Sequence, residues 1–530
     1  MTKNRYLTEF PVKGAYFFIG CSWEYYEAVA VEVNKATGVW PSLWTAHPAR
    51  VNDLAGKFPE TLVVNAHDLT CAKLASLKSL IPTKLDYEPL SSSWQEKFSA
   101  ERMMVMENLL HRSDPGGNYT HSELRDITNA YFLIAHNLLK YFKPRLIYFE
   151  VPPHTMYDLA LYYLAKKCEI RTLMVYDTSI PACSVFMHEF NSNKSFFEMP
   201  VELKENEAKK NELIDNALQE VGQDMPFYMG KSLFERPLHN MMSGLLKATL
   251  CSVRIEASKL YRLASSAIPA MSERRPNLRI KTDYRKRRGY LQSVRPALAW
   301  DIPRHFARNI RLEWHYRKKS EVFRLHSEFG DKKFIFIPLS LQPEMSTMPS
   351  AGFMYDQKCI VEMICRSIPT DWTVVVKENP KQFTHLTGVP ARDARFYDEL
   401  GEMGVVFAPL DFPSMRIVER AQAVAVTTGT AGFEAILGYK KPVLTFAHTW
   451  YSGIPGATFI NSYAECKAAV DQLVSGQWNI DEQQIKNFLA TLRSRMVYLW
   501  GEGSTIQQQG WDETAISKNI ARAINVLLRN

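Results

Sequence analysis

The chain has 530 residues, 46% of them hydrophobic and 23% charged. That composition builds cores and excludes a disordered chain, and the length implies two or three domains. The net charge of +8 is concentrated in one segment, because between Lys231 and Ser320 there are 21 Lys and Arg against 6 Asp and Glu.

Further classes fall away on pattern. No stretch reaches the ~18 uninterrupted apolar residues of a membrane span, and the N-terminus lacks the layout of a signal peptide. The eight cysteines, Cys21, Cys71, Cys168, Cys183, Cys251, Cys359, Cys365 and Cys466, include no C-x-x-C pair. This argues against a zinc site or a disulfide framework and fits a reducing cytosol. Neither an H-E-x-x-H pattern nor a G-x-x-x-x-G-K-[ST] loop occurs.

In chain order, "AYFFIG" reads as a short buried strand, followed by helical spacing that ends at Gly38. "TLVVNA" (61–66) is a second strand, and 122–142 is an amphipathic helix. The strand 145–151, the helix "MYDLALYYLAKKCEI" and the strand 171–177 follow. Such alternation of apolar strands with helices predicts a parallel, doubly wound sheet over 1–190. Residues 191–330 read as a basic, helical insertion or linker, broken by prolines. The alternation resumes over 331–480, with strands at 334–340, 372–378, 404–410, 423–428 and 442–447, and 481–530 is helical. The fold class expected is therefore α/β, with two Rossmann-like domains in a GT-B arrangement, the basic insertion between them and C-terminal helices.

Chemistry concentrates at strand ends of the second domain. "VTTGTAGFEAILGY" (426–439) joins a strand, a glycine turn and a helix start. First-turn N–H groups and the helix dipole favour an anion there. Gly429 and Gly432 would allow close backbone approach, while Thr427, Thr428 and Thr430 supply hydroxyls. Glu434, in the first turn, either accepts from ribose hydroxyls or caps its own helix, and Gly438 reads as the helix end. The bland alternative is an ordinary Rossmann turn. "PLSLQPEMSTMPSAG" (338–352) puts Gln342, Glu344, Ser346 and Thr347 on a shaped loop. Lys377 ends a strand, where it either neutralises a phosphate or has no role. His448, Trp450 and Tyr451 follow the last strand, to stack on a ligand or to close the sheet edge.

"SLQPE", "VVVKENP", "TTGTAGFEAILGYKKPVLTF" and "HTWYSGIPG", in this order, resemble the C-terminal half of bacterial capsule and surface-polysaccharide biosynthesis proteins. These are GT-B glycosyltransferases related to the capsular β-Kdo transferases. The resemblance covers 334–456 and, more loosely, 146–181. It implies donor binding by the loop around Gln342 and Glu344, by Lys377, and by Thr428 to Glu434. Relatives often carry His-Pro where this chain has Asn379-Pro380, so the donor nucleotide stays open between CMP and others.

In a GT-B enzyme the acceptor and the catalytic base come largely from the first domain, and no metal is required, since helix N-termini and basic side chains stabilise the leaving phosphate. The candidate is Glu150, at the end of the strand "RLIYFE", followed by Asp177 and His154, with Glu24 and His47 on earlier loops. A strand-end acid also frequently caps the next helix. The expected partners are a nucleotide-sugar donor and a glycan or lipid-linked glycan acceptor, with no nucleic acid. The basic segment is a solvated face, an anchor on an anionic membrane or a site for an acidic glycan. The protein is expected in the cytoplasm, with the inner-membrane surface as a further option. The alternatives are a nucleotide-sugar epimerase of the same architecture and a non-catalytic binding subunit of a polysaccharide assembly complex.

Overall fold

The computed structural model describes residues 15–66, 69, 92–113, 121–190, 192, 195–221, 301–323, 332–342, 344–384, 392–499 and 511–529. Most of the basic segment thus lies outside the described residues. The first region runs β1 (Tyr16–Ile19), α1 (Tyr25–Thr37), β2 (Pro41–Ala46), α2 (Val51–Lys57), β3 (Leu62–Asn65), α3 (Ser92–Lys97), α4 (Ser99–Ser113), α5 (His121–Phe142), β4 (Leu146–Phe149), α6 (Met156–Lys167), β5 (Arg171–Ile180), β6 (Cys183–Met187), β7 (Phe196–Phe197) and α7 (Glu207–Glu220). After α8 (Asp301–Ser320), the second region runs β8 (Phe334–Pro338), α9 (Gln357–Ser367), β9 (Thr373–Lys377), α10 (Lys381–Thr384), α11 (Ala394–Glu402), β10 (Val406–Phe407), α12 (Ser414–Arg420), β11 (Ala423–Val426), α13 (Ala431–Tyr439), β12 (Val443–Thr445), β13 (Ala457–Phe459) and α14 (Tyr463–Val474). The chain closes with α15 (Glu482–Arg495), β14 (Val497–Tyr498) and α16 (Glu513–Arg529).

Among the described residues the strands form two sheets. One has the order β14-β6-β5-β4-β1-β2-β3, with β7 beside β6, and the other β10-β9-β8-β11-β12-β13. The second is parallel throughout. The first is parallel from β5 to β3 and antiparallel beyond β5. This is the two-domain Rossmann-like α/β fold expected. Each sheet also changes winding direction once, between β1 and β4 in the first and between β8 and β11 in the second.

Why strands such as "YFFI" read as unbroken apolar runs is now physical: helices cover both faces. Tyr16 and Phe18 pack with Tyr26 and Val29 of α1 and Ile520 and Ile524 of α16. Phe17 and Ile147 pack on the other face with Ile134 and Leu138 of α5 and Leu161 of α6. That second cluster continues to Phe336, Val424 and Tyr451 of the second region. The two sheets thus share one of their cores. Helix α1 ends as expected at Gly38, which takes φ 72° and donates to the Asn34 carbonyl at 2.7 Å.

Several boundaries differ from the sequence reading. β2, with polar Ser42 and Thr45 buried at a central position, has no alternation to signal it. β5 does not stop at Asp177 but runs to Ile180 and folds back as a hairpin with β6, Asp177 lying opposite Ser184. α13 extends through Gly438, and its cap is Lys440 in the left-handed region at φ 53°. No described helix is long and apolar enough to cross a membrane.

Candidate functional site

Ligands of open α/β sheets bind at the carboxyl ends of strands where the winding reverses. In the second sheet that point lies between β8 and β11. The loops leaving these two strands are stitched together there. The Ser340 and Thr427 hydroxyls lie 2.7 Å apart, and the Thr428 hydroxyl donates to the Ser346 carbonyl at 2.8 Å. Thr427 and Thr428, expected to offer hydroxyls to a ligand, therefore hold one loop to the other.

The two glycines separate by function. A Cβ on Gly432 would meet the Tyr451 hydroxyl at 2.7 Å and the Val426 and Val443 methyls at 3.1 Å, so this glycine serves helix-on-strand packing. A Cβ on Gly429 would meet nothing closer than 3.9 Å, and only Val426. The turn is thus open over Gly429 and closed over Gly432. Tyr451, fully buried, donates to the Gly429 carbonyl from behind, and Phe433 packs on both Tyr451 and Trp450. Trp450 and Tyr451 are accordingly core residues rather than a stacking surface. Thr430 stands at the start of α13 with no side-chain cap bond, leaving the helix N-terminus to face the open turn. Glu434 is buried beneath this turn, near enough for its charge to act on Tyr451.

Gln342 is not presented to solvent. Its backbone N–H and carbonyl are held by the Gln382 amide at 2.9 and 2.8 Å, its side-chain amide donates to the Tyr355 carbonyl, and its Oε1 accepts from Arg392. Arg392 also donates to Glu378 at 3.0 Å and to the Ser340 carbonyl at 3.2 Å, while Tyr397 donates to Glu378 at 2.8 Å. Glu378 and Arg392 are both buried. This ion pair is a support under the β8 loop, and sequence reasoning missed it because Arg392 stands in a short polar run without periodicity. Glu344 accepts from the Ser346 hydroxyl at 2.5 Å.

Lys377 is buried at the end of β9 and donates to the Ser414 hydroxyl at 3.0 Å, at the start of α12. Burial lowers its pKa to about 8, opposed by Asp411. His448 stacks on Phe459 with ring centres 4.2 Å apart, and burial holds its pKa below the usual value.

In the first sheet the reversal lies between β1 and β4, the strands whose ends carry Gly20 and Glu150. Gly20, at φ 79°, donates its N–H to the Thr45 hydroxyl at 2.8 Å. A Cβ there would lie 3.8 Å from Glu150 Oε2, so the turn brings the carboxylate against the end of β1. Beneath it lie Cys21, Tyr25, Tyr26 and Tyr148. Burial first, and the Glu150 charge with it, hold the Cys21 thiol and the Tyr25 hydroxyl well above their ordinary values. The capping alternative for Glu150 is filled elsewhere, since Thr155 caps α6 by accepting from the Asp158 N–H.

His154 lies on the same loop. Its Nδ1 is 3.0 Å from the Pro152 carbonyl, so Nδ1 carries the proton in the neutral ring, and Asn108 of α4 donates to its backbone carbonyl at 2.7 Å. Asp177 is on the next strand, within the hairpin. Glu24 instead pairs with Arg50 at the surface, and His47 is exposed.

The two carboxyl edges meet. Tyr355, after β8, donates to Glu107 of α4 at 3.1 Å. Tyr176 of β5 feels the charges of Asp177 and of Glu344 and acts in turn on Tyr451. Asp177 therefore stands beside the junction with the cradle loops, and Glu150 stands at the other reversal point.

No curated protein matches the chain. Among solved structures it is similar to the β-Kdo 2,7 transferase KpsC of Thermosulfurimonas dismutans, at 12% identity over 71% of this chain and 97% of that one, with a TM-score of 0.27. It is also similar to the UDP-GlcNAc 2-epimerases of Methanocaldococcus jannaschii, at 13% identity over 91% and 98% of the two chains with a TM-score of 0.24, and of Neisseria meningitidis, at 11% over 91% and 98% with 0.21. Such scores carry no argument about activity. The family model of capsule polysaccharide biosynthesis proteins matches residues 245–473, less than half of the chain but all of the cradle. Through this region the chain is similar to the capsule polysaccharide biosynthesis proteins.

Proposed function

We propose that the protein is a glycosyltransferase that moves a sugar from a nucleotide-sugar donor to a surface-polysaccharide acceptor. The observation that carries this reading is the cradle between β8 and β11. Two stitched loops there flank a helix N-terminus that lacks a side-chain cap and opens over Gly429. Such a terminus suits a diphosphate or monophosphate ester. The family match supports the same setting.

In the step itself, a first-sheet carboxylate takes the proton of an acceptor hydroxyl. That oxygen forms its bond to the anomeric carbon as the bond to the nucleotide phosphate breaks. The leaving phosphate is stabilised by the α13 N-terminus and by Lys377. Glu150 is the assigned base, with Asp177 and His154 as the other candidates. Gln342, Glu344, Thr428, Gly429, Thr430, Gly432, Glu434 and His448 shape or line the donor side. The donor is assigned as Kdo or another nonulosonate on CMP. Turnover is expected without a metal and should survive a chelator.

Calorimetric titration with CMP, UDP, GDP and dTDP, on wild type and Gly429→Ala, tests the reading. The expected outcome is micromolar binding of one nucleotide, weakened at least tenfold in the variant. Binding of none would remove the donor site and the transferase reading with it. Nucleotide-sugar conversion without an acceptor would favour the epimerase alternative; binding without turnover would favour a non-catalytic subunit.

A further inference from the structure

The helix α8 has two faces of different kinds. Asn309, Leu312, Tyr316, Ser320 and, just past its end, Phe323 recur at helical spacing and are buried. Tyr316 reaches the second sheet, donating to the Ala408 carbonyl at 2.7 Å and accepting from the Glu378 N–H at 3.0 Å. The helix therefore lies along the carboxyl ends of β9 and β10, the same end of the sheet as the cradle.

Its opposite face carries Ile310 and Trp314, which are 52% and 55% exposed, and Val322, in the turn just past the helix end, is 65% exposed. Large apolar groups turned to water this close together require a reason. The charged residues among them are mostly of one sign. Arg311 and Lys318 are exposed, and the Lys318 ammonium lies 4.1 Å from the centre of the Trp314 ring. Nearby acids are largely taken up on the helix flanks, Glu313 by Arg317 at 2.8 Å and Asp398 by Lys319 at 2.8 Å. Glu321 is a further exposed acid, just past the end of the helix.

We propose that this face of α8 docks on an anionic lipid surface, with Trp314 and Ile310 entering the headgroup boundary and Arg311 and Lys318 meeting the headgroups. A Trp beside a basic residue on an otherwise polar helix suits that boundary, where an aromatic ring is half wetted and a cation finds counter-charge. An acidic glycan would use the cations but gives no reason for the exposed Ile310 and Val322. The sequence that precedes α8 has the same charge sign, with Arg and Lys dominating from Lys231 onward. Docking through this face would bring the cradle edge of the second sheet toward the membrane, where a lipid-linked acceptor is presented. The proposal stands apart from the nucleotide reading, since none of these side chains touches the cradle loops.

Co-sedimentation of the full chain with phosphatidylglycerol–phosphatidylcholine vesicles, and with phosphatidylcholine alone, tests it. Wild type should bind the anionic vesicles and bind the neutral ones far less. Arg311→Gln with Lys318→Gln should lower anionic-vesicle affinity about 25-fold, about fivefold per charge. Ile310→Ser with Trp314→Ser should lower it at least tenfold, with an unchanged melting temperature and unchanged nucleotide affinity. Wild-type affinity in the serine variant would mean a purely electrostatic contact and overturn lipid docking. Equal binding to neutral vesicles, or no vesicle binding by wild type, would overturn it as well.

Discussion

The two points at which the sheets reverse their winding are topologically alike and chemically opposite. At β8 and β11 the loops are bound to each other by hydroxyls and rest on the buried Glu378–Arg392 pair, and a helix N-terminus faces outward. At β1 and β4 the loops carry a carboxylate, Glu150, above buried tyrosines and a thiol. One point favours anions and the other bears a negative charge. The difference teaches that equivalent topology supplies only a place, while the side chains at the strand ends decide what is bound and what reacts there.

That comparison can be broken or sharpened. The largest effect is expected from Glu150→Gln, which should lower turnover by a factor of roughly 10² to 10⁴ while leaving nucleotide affinity unchanged. Product formation and calorimetry on the same preparation check this. Equal loss in both would place Glu150 in folding rather than chemistry.

Arg392→Met strands the buried Glu378 carboxylate and should cost about 3–5 kcal/mol of stability in urea unfolding. A paired Arg392→Met, Glu378→Met change should recover much of it. The proposed nucleotide site should loosen in the single variant, because Arg392 also holds Gln342 and the Ser340 carbonyl.

The two glycines form the sharpest contrast. Gly432→Ala drives a methyl into Tyr451 and should cost about 1–3 kcal/mol of stability. Gly429→Ala should leave stability within about 0.5 kcal/mol, since the site has room, and weaken nucleotide binding instead. Were both to act on stability alone, the open turn would be ordinary packing.

The smallest effect concerns Lys377. Its folded pKa, about 8, lies below the unfolded value near 10.4, so the folded state binds fewer protons between them. Burial of the charged form costs stability below pH 8, and that cost is relieved as pH rises toward the unfolded pKa. A bound phosphate favours the charged form, so nucleotide affinity should fall severalfold above pH 8, and the fall should vanish in Lys377→Met.

The apolar runs at 334–340, 372–378 and 423–428 were legible because parallel strands are buried on both faces, and period and length then suffice. β2 and the β5–β6 hairpin were not, since Ser42 and Thr45 interrupt one and nothing in "YDTSIPACS" distinguishes a strand that ends from one that turns back. Glu150 and the glycine turn could be picked out by position alone.

By itself, the sequence determined that two sheets with parallel cores would form and that polar groups would gather at their strand ends, because burial period and turn chemistry are local properties. The roles of those groups depended on contacts across distant parts of the chain. Gly429 differs from Gly432 through Tyr451, Val443 and the close approach of Val426; Thr427 and Thr428 bind a loop about 80 residues away, and Arg392 supports Gln342 from 50 residues downstream. Only tertiary structure decided these, because whether a hydroxyl or an open Cα faces a ligand or a neighbour depends on what packs against it.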